Sequence, residues 1–310
     1  MIKEINFFFF KFKRRYEFFF CYTSIINRTL VQRNFMKNIL IKLRRKILKF
    51  YIWFVKFLIK DILLKFFLLI CIKQKYKNYV FYNFFDNNDK IINLKINSNT
   101  KASFVSRSLM TEKRYTTLFS KEPDTIDWIN SFDKSSIFYD IGANVGIYSV
   151  YASILNKNID TIAFEPSVFN LEILSKNIYI NNLHDRVSIY PISLDVKKNQ
   201  NQFNMSKVEV GGALSGFGTE LDEFNNQRDI AFKYKTFSQS LDDFVNEYNL
   251  KLPNYIKIDV DGIELSILNG AINILNSSHL KSILIENTDP KSGISSFLEE
   301  NNFQLISKLR

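Results

Sequence analysis

The run Ser136-Ile-Phe-Tyr-Asp140-Ile-Gly142-Ala-Asn144-Val-Gly146 constrains this chain more than any other stretch. Apolar residues leading into an acid, then two glycines four apart, then Ile147-Tyr-Ser149, read as a buried strand, a tight turn and a helix start. That is the opening of a parallel crossover unit. Asp140 falls at the C-terminal end of the strand, where open α/β sheets gather their ligands. Gly142 and Gly146 lack a Cβ, so the backbone can turn sharply and a ligand can come close. Asn144 supports the same turn through its tolerance of positive φ. The spacing is G-x-x-x-G, whereas a dinucleotide fingerprint needs G-x-G-x-x-G, so no pyrophosphate cradle is expected. Thr161-Ile-Ala-Phe-Glu165-Pro166 puts a second acid nineteen positions after Gly146, at the tip of the neighbouring strand, in register to accept ribose hydroxyls. Acid, glycine turn and acid suit a cofactor with a ribose, a cationic amino-acid tail and no phosphate, which is S-adenosylmethionine. Ser193 and Asp195, after a third strand, either reach the adenine or lie in a solvated loop.

A third segment is Tyr255-Ile-Lys257-Ile-Asp259-Val-Asp261-Gly262-Ile-Glu264, followed by Leu268-Asn-Gly270-Ala271. With the glycine turn and the Phe164-Glu165-Pro166 strand end, it resembles the FkbM family of methyltransferases, whose signature is K-x-D-V-[DE]-G-x-E and then L-x-G-A. The likeness runs from Glu122 to about Ile306. It implies a Rossmann-like class I methyltransferase sheet, S-adenosylmethionine as methyl donor, and a small-molecule or glycan acceptor methylated on oxygen. Methylation of an amide or amine nitrogen, or an inert cofactor-binding module held at a membrane, are the competing readings.

The order of elements agrees with an α/β doubly wound sheet. Strands at 136–140, 160–164, 186–190, 254–260 and 281–286 alternate with helices at 145–156, 167–180, 240–249 and 262–276. A helix at 295–301 and a strand at 303–308 follow. The methyltransferase fold usually closes with one more, antiparallel strand, and none is legible before the chain stops. Residues 76–135 read as a β/α lead-in and 136–310 as the methyltransferase domain. Between Asp195 and Lys235 lies an irregular insertion with Gly211, Gly212, Gly216 and Gly218, read as a mobile lid over the acceptor or a flexible surface hairpin.

Charge and punctuation set the first third apart. No Gly precedes Gly142 and no Pro precedes Pro123. Residues 1–75 hold 18 Lys and Arg against Glu4, Glu17 and Asp61, a net of +15, so the whole-chain +11 leaves −4 for the remainder. The basic character therefore belongs to residues 1–75, read as a basic amphipathic helical extension, and no nucleic-acid partner is expected. On a helical wheel of residues 38–71, Lys42, Arg45, Lys46, Lys49, Lys56 and Lys60 share a stripe of about 100° opposite a broad apolar face. Lys56, Lys60, Asp61 and Lys65 within one window argue against a spanning helix, since each central charge costs about 2.5–3.5 kcal/mol. Two arrangements fit: peripheral contact with the cytoplasmic face of a membrane, lysines reaching anionic headgroups, or packing on a domain or partner. Cytoplasmic location also suits Cys21 and Cys71, whose spacing matches neither a disulfide framework nor a metal site.

Methyl transfer to a hydroxyl is an in-line displacement that needs close, collinear placement and a base for the departing proton. Strand alternation puts Lys257, Asp259 and Asp261 on one side and Ile256, Ile258 and Val260 on the other. A sheet covered on both faces rarely hides such charges without a reason. Asp259 is the first candidate base and Glu264 the second. Asp261 is either a further site acid or the cap of the next helix, with Glu264 supporting it. Glu286 ends the next strand toward the same crevice. No residue is assigned as a metal ligand, although Mg²⁺ on two of these acids would be an alternative means of activating the acceptor.

Overall fold

The computed structural model describes residues 3–8, 43–57, 89–221, 226–287 and 292–309. The chain divides into two compact units, residues 1–12 with 89–310, and residues 13–88. Within the second unit, 43–57 is helical; the rest of the expected 38–71 helix, and residues 76–88 of the expected lead-in, lie outside the described residues.

The first unit is built on a seven-stranded sheet in the order β13-β1-β12-β11-β4-β5-β6. Its members are β1 (Lys3–Phe8), β4 (Ser136–Ile141), β5 (Ile159–Phe164), β6 (Val187–Tyr190), β11 (Tyr255–Ile258), β12 (Ser282–Glu286) and β13 (Phe303–Leu309). Every pairing in it is parallel. The order reverses between β4 and β11, so the crevice beyond their C-terminal ends is the topological switch point at which such sheets bind ligands. β2 (Lys90–Lys95) and β3 (Lys101–Ser106) form a separate hairpin-like pair.

Both faces of the sheet are covered. On one, Phe138, Ala163, Tyr255 and Leu284 pack with Trp128, Val150, Ile173 and Leu174. On the other, Tyr139, Ile141, Phe164, Ile256, Ile258 and Ile285 pack with Phe244, Ile267, Leu268 and Leu298. Successive strand residues alternate between the two clusters, which is why the strands read as unbroken apolar runs. Trp128, on the helix Pro123–Asn130, meets Phe138 edge-on at 6.0 Å.

Three expectations change. Residues 3–8, assigned from composition to a helical extension, form β1, which fills the place between β12 and β13 in parallel orientation. The closing strand sought at the C-terminus is thus supplied from the opposite end of the chain. The helix expected at 262–276 is two short helices, Glu264–Asn269 and Ile272–Leu275. They part at Gly270 and Ala271, where Asp242 accepts the Asn273 and Ile274 amides at 2.8 and 2.9 Å.

The third concerns the insertion after Asp195. It is neither irregular nor a simple surface hairpin: β8 (Asn199–Met205), β9 (Ser215–Phe217) and β10 (Phe232–Gln239) join β7 (Ser193–Leu194) in a four-stranded sheet. Alternating polar and aromatic residues along Phe232–Gln239 carry the pairing with β8. Its glycine segment is tied down at several points. The Gly211 amide donates to Asn170 Oδ1 at 3.0 Å, and the Gly211 carbonyl accepts from Arg114 Nε at 2.7 Å.

Candidate active site

A cavity of about 390 Å³ opens at the ends of β4, β5, β11 and β12. Its first half is built by the turn after β4. Gly142, Asn144 and Gly146 all take positive φ, at 78°, 53° and 77°. A Cβ on Gly142 would stand 2.1 Å from the Asp259 carbonyl oxygen, and one on Gly146 would meet Leu174 Cδ1 at 2.3 Å. Glycine is therefore demanded by close packing against the neighbouring strand end and against the helix Val168–Ile180, as well as by the turn itself. Of these two glycines, Gly142 lines the cavity.

Glu165 lines it too. Its Oε2 accepts the Asn144 amide and its Oε1 the Ser167 amide, each at 2.7 Å. Burial pushes its carboxyl up to about 7 in spite of these bonds. A carboxylate oxygen has more than one acceptor site, so both ribose hydroxyls of a nucleoside can still be received. The Asn144 amide group donates to the Gly212 carbonyl at 2.8 Å, joining the turn to the glycine segment. Ser193 and the apolar Leu194, Phe203 and Ile267 continue the same wall. This set, an acid for the ribose beside an apolar slot and no phosphate cradle, fits S-adenosylmethionine.

Asp140 stands behind this wall. It is fully buried and accepts from Ser149 Oγ at 2.5 Å, while its Oδ1 has no hydrogen-bond partner. Burial raises its carboxyl in spite of Lys257 and Ser149. Asp195 is likewise engaged elsewhere, with Ser266 Oγ at 2.5 Å and the Val196 amide at 2.7 Å.

The second half of the cavity is made by charge. Lys257, on β11, is 2% exposed, and its ammonium is paired with the Asp259 carboxylate, which remains 35% exposed. The same ammonium lies 4.7 Å from the centre of the Tyr148 ring, whose hydroxyl donates to Glu122. Burial by itself would lower the Lys257 pKa; Asp259, Asp140 and Glu122 outweigh it and raise it. Burial alone would raise Asp259, but Lys257 and a hydrogen bond from Glu286 hold its carboxyl well below the usual range. Glu286 is driven the other way, by burial and by the Asp259 charge. Asp259, Glu286, Glu122 and Tyr148 all face the cavity, with Arg114 beside them.

Asp261 lines the cavity, but it is not a helix cap: Ile263 holds the cap position, and Asp261 Oδ2 accepts the Ser215 amide at 2.9 Å. Its carboxyl is raised by burial. Glu264 is buried at the first position of the short helix, accepts the Gly262 amide at 3.2 Å, and is pushed up to about 8 by burial. It is absent from the cavity wall, where Glu286, Glu122, Tyr148 and Arg114 stand. Glu286 is signalled by its place at the end of an apolar strand and Tyr148 by following the glycine turn; Glu122, which precedes the helix Pro123–Asn130, and Arg114, on the helix Leu109–Thr116, carry no catalytic signal. As for Mg²⁺, no group of three or more His, Cys, Asp or Glu suited to a metal ion occurs among the described residues.

An acid beside an apolar slot, at the switch point of a doubly wound sheet, is a place where a nucleoside-bearing ligand can bind. The methyltransferase FkbM domain matches residues 140–305, and the chain belongs to that family. It is 25% identical over 162 residues to the hexuronic acid methyltransferase AglP of Haloferax volcanii, a match covering 51% of this chain and 60% of that protein. Among solved structures it is similar to methyltransferase FkbM of Methylobacillus flagellatus KT, at 19% identity, 49% and 33% coverage and a TM-score of 0.34. It is also similar to precorrin-6y C5,15-methyltransferase of Geobacter metallireducens GS-15, at 16% identity, 63% and 72% coverage and a TM-score of 0.36. The chain thus spans less than two thirds of the length of AglP and of the FkbM structure.

Proposed function

We propose that this protein methylates a hydroxyl of a sugar, glycan or related natural-product acceptor. The observation that carries the reading is the Asp259 carboxylate, part exposed and paired with a buried lysine, in the same cavity as Glu165 and Ser193. S-adenosylmethionine, when bound, supplies a methyl group on a positively charged sulfur. Glu165 and Ser193 would hold its nucleoside end, beside the turn at Gly142 to Gly146. Asp259 receives the acceptor's proton. Its basicity is low, but the hydroxyl oxygen becomes strongly acidic as the new bond forms, so an ionised carboxylate in place matters more than a strong base. The similarity to a hexuronic acid methyltransferase supports a carbohydrate acceptor, and Arg114 offers a cation to an acidic sugar. The acids Glu122, Asp259 and Glu286 would also receive an amine, which keeps nitrogen methylation as the second reading.

The test is incubation with methyl-labelled S-adenosylmethionine and fractionated glycans and lipid-linked sugars. Label recovered as an O-methyl sugar after acid hydrolysis is the expected result. Label on amines or amides selects the second reading, and no label in any carbohydrate fraction sinks the first.

For location, we propose peripheral contact of the basic helix with the cytoplasmic face of a membrane. No helix among the described residues is long and apolar enough to cross one. In 43–57, Leu43, Ile47, Leu48, Tyr51 and Phe54 are exposed on the side away from the lysines. Apolar insertion plus attraction of about 1 kcal/mol for each basic residue would hold such a helix on anionic lipid. Wild type should co-sediment with anionic vesicles at low salt, and changing Lys46, Lys49 and Lys56 to Glu should release it. A wild-type protein that stays in the supernatant ends this part of the proposal.

A further inference from the structure

Asp259 follows β11 directly, and Glu286 is the last residue of β12. Ile258 and Ile285 are register partners in that parallel pair, so one residue further on the two acids stand side by side at the cavity. Being register neighbours, the two side chains leave the same face of the sheet, and their carboxyls adjoin at the cavity. Two adjoining carboxylates with little water cannot both ionise. Lys257 breaks the symmetry, because its ammonium pairs with Asp259 from below the strand end. Arg114 is the other cation acting on Asp259. Asp261, Asp140, Glu264 and Tyr148 also feel the Asp259 charge, which raises each of them, and Glu122 lines the same cavity. The charge therefore settles on Asp259 and the proton on Glu286.

We propose that Glu286 is a positioning residue for methyl transfer, donating a hydrogen bond to the Asp259 carboxylate so that an Asp259 lone pair points at the acceptor hydroxyl. The inference rests on the reading of Asp259 as the group that takes the acceptor proton. As the carbon–oxygen bond forms, the hydroxyl O–H bond breaks and its proton passes to Asp259. The carbon–sulfur bond breaks with its electron pair left on sulfur, so the positive charge lost there reappears as that proton. Both acids are then neutral until the proton leaves for water. Without Glu286, the Asp259 carboxylate is free to turn both oxygens toward Lys257.

Two variants separate the donor from mere bulk: Glu286→Gln keeps an N–H to donate, and Glu286→Leu does not. Infrared spectra of the full chain in heavy water at about pH 7, needing no acceptor, come first. Wild type minus Glu286→Gln should show the carbonyl band of an undissociated carboxyl, and Asp259→Asn should shift that band. If no such band is lost, Glu286 is ionised and the proposal falls. In the labelled-methyl assay, Glu286→Leu should lower kcat about tenfold or more, with S-adenosylhomocysteine affinity by calorimetry within about twofold of wild type. Glu286→Gln should recover kcat to within about threefold. A Leu variant as active as wild type, or a Gln variant as damaged as the Leu one, also overturns it. If wild type labels no carbohydrate, or Asp259→Asn turns over normally, it is the proposed function that fails, and the infrared band still decides the pairing.

Discussion

The two halves of the cavity are made by different means. At the ends of β4 and β5, the wall is main chain: three positive-φ residues, two glycines that admit no Cβ, and two amides converging on Glu165. At the ends of β11 and β12, the wall is side-chain charge, with Lys257, Asp259 and Glu286 joined to Glu122 and Tyr148 from separate elements. A backbone device depends on a few consecutive residues and tolerates almost no substitution. A charge network draws on distant elements, and its properties change by degrees as members are altered.

The largest effect should therefore come from the backbone half. Gly142→Ala or Gly142→Val would place a carbon 2.1 Å from the Asp259 carbonyl at a φ of 78°, and both should cost about 4 kcal/mol or more of stability by denaturant unfolding. A stable alanine variant would show that the strand ends do not approach so closely. Next comes Asp259→Asn, which preserves shape and should lower turnover about 100-fold while leaving S-adenosylmethionine affinity nearly intact. Equal loss of affinity and turnover would move Asp259 into the cofactor half.

Lys257→Met tests the charge half at its centre. Lys257 holds the Asp259 pKa below its unfolded value, so ionised Asp259 contributes stability above that unfolded value, and the contribution is lost as pH falls through the folded pKa. Removing the lysine should move the acidic limb of the kcat profile to higher pH, besides costing about 3–5 kcal/mol as a broken buried pair. An unmoved acidic limb would mean that Asp259 is not the titrating group.

Glu165 should give a smaller effect. Glu165→Ala should weaken cofactor binding by about 1–3 kcal/mol, the scale of an unmade buried hydrogen bond. With its carboxyl raised to about 7, wild-type affinity should rise between about pH 6 and 8 as the acceptor ionises, and the alanine variant should lose that rise. The same raised carboxyl stabilises the fold below its unfolded pKa, and that contribution is lost as pH climbs through about 7. Ser193→Ala, at the edge of the slot, should cost about 1 kcal/mol in calorimetry. An effect as large as that of Glu165 would relocate the polar centre of the cofactor wall.

What the sequence by itself determined is everything carried by short-range order. The strand and turn from Ser136 to Gly146, the acid at Glu165, and the alternation of Lys257 and Asp259 against Ile256 and Ile258 rest on local backbone geometry and on period-two burial, which neighbouring residues specify. The tertiary structure decided what depends on distant partners. Asp140, placed by its motif at the ligand, is buried behind the cavity because Ser149 and the surrounding core claim it. Glu264 is held by the turn at Gly262, while Glu286, on a separate strand, reaches the cavity through its register with Asp259. The glycine segment is pinned by Asn144, Asn170 and Arg114, residues 30 or more positions away, where composition alone suggested freedom. Most remote of all, Lys3–Phe8 completes a sheet whose other strands begin at Ser136. Hydrogen bonding between strands requires only an open edge and a matching register, and neither is written in the residues that surround a strand in the chain.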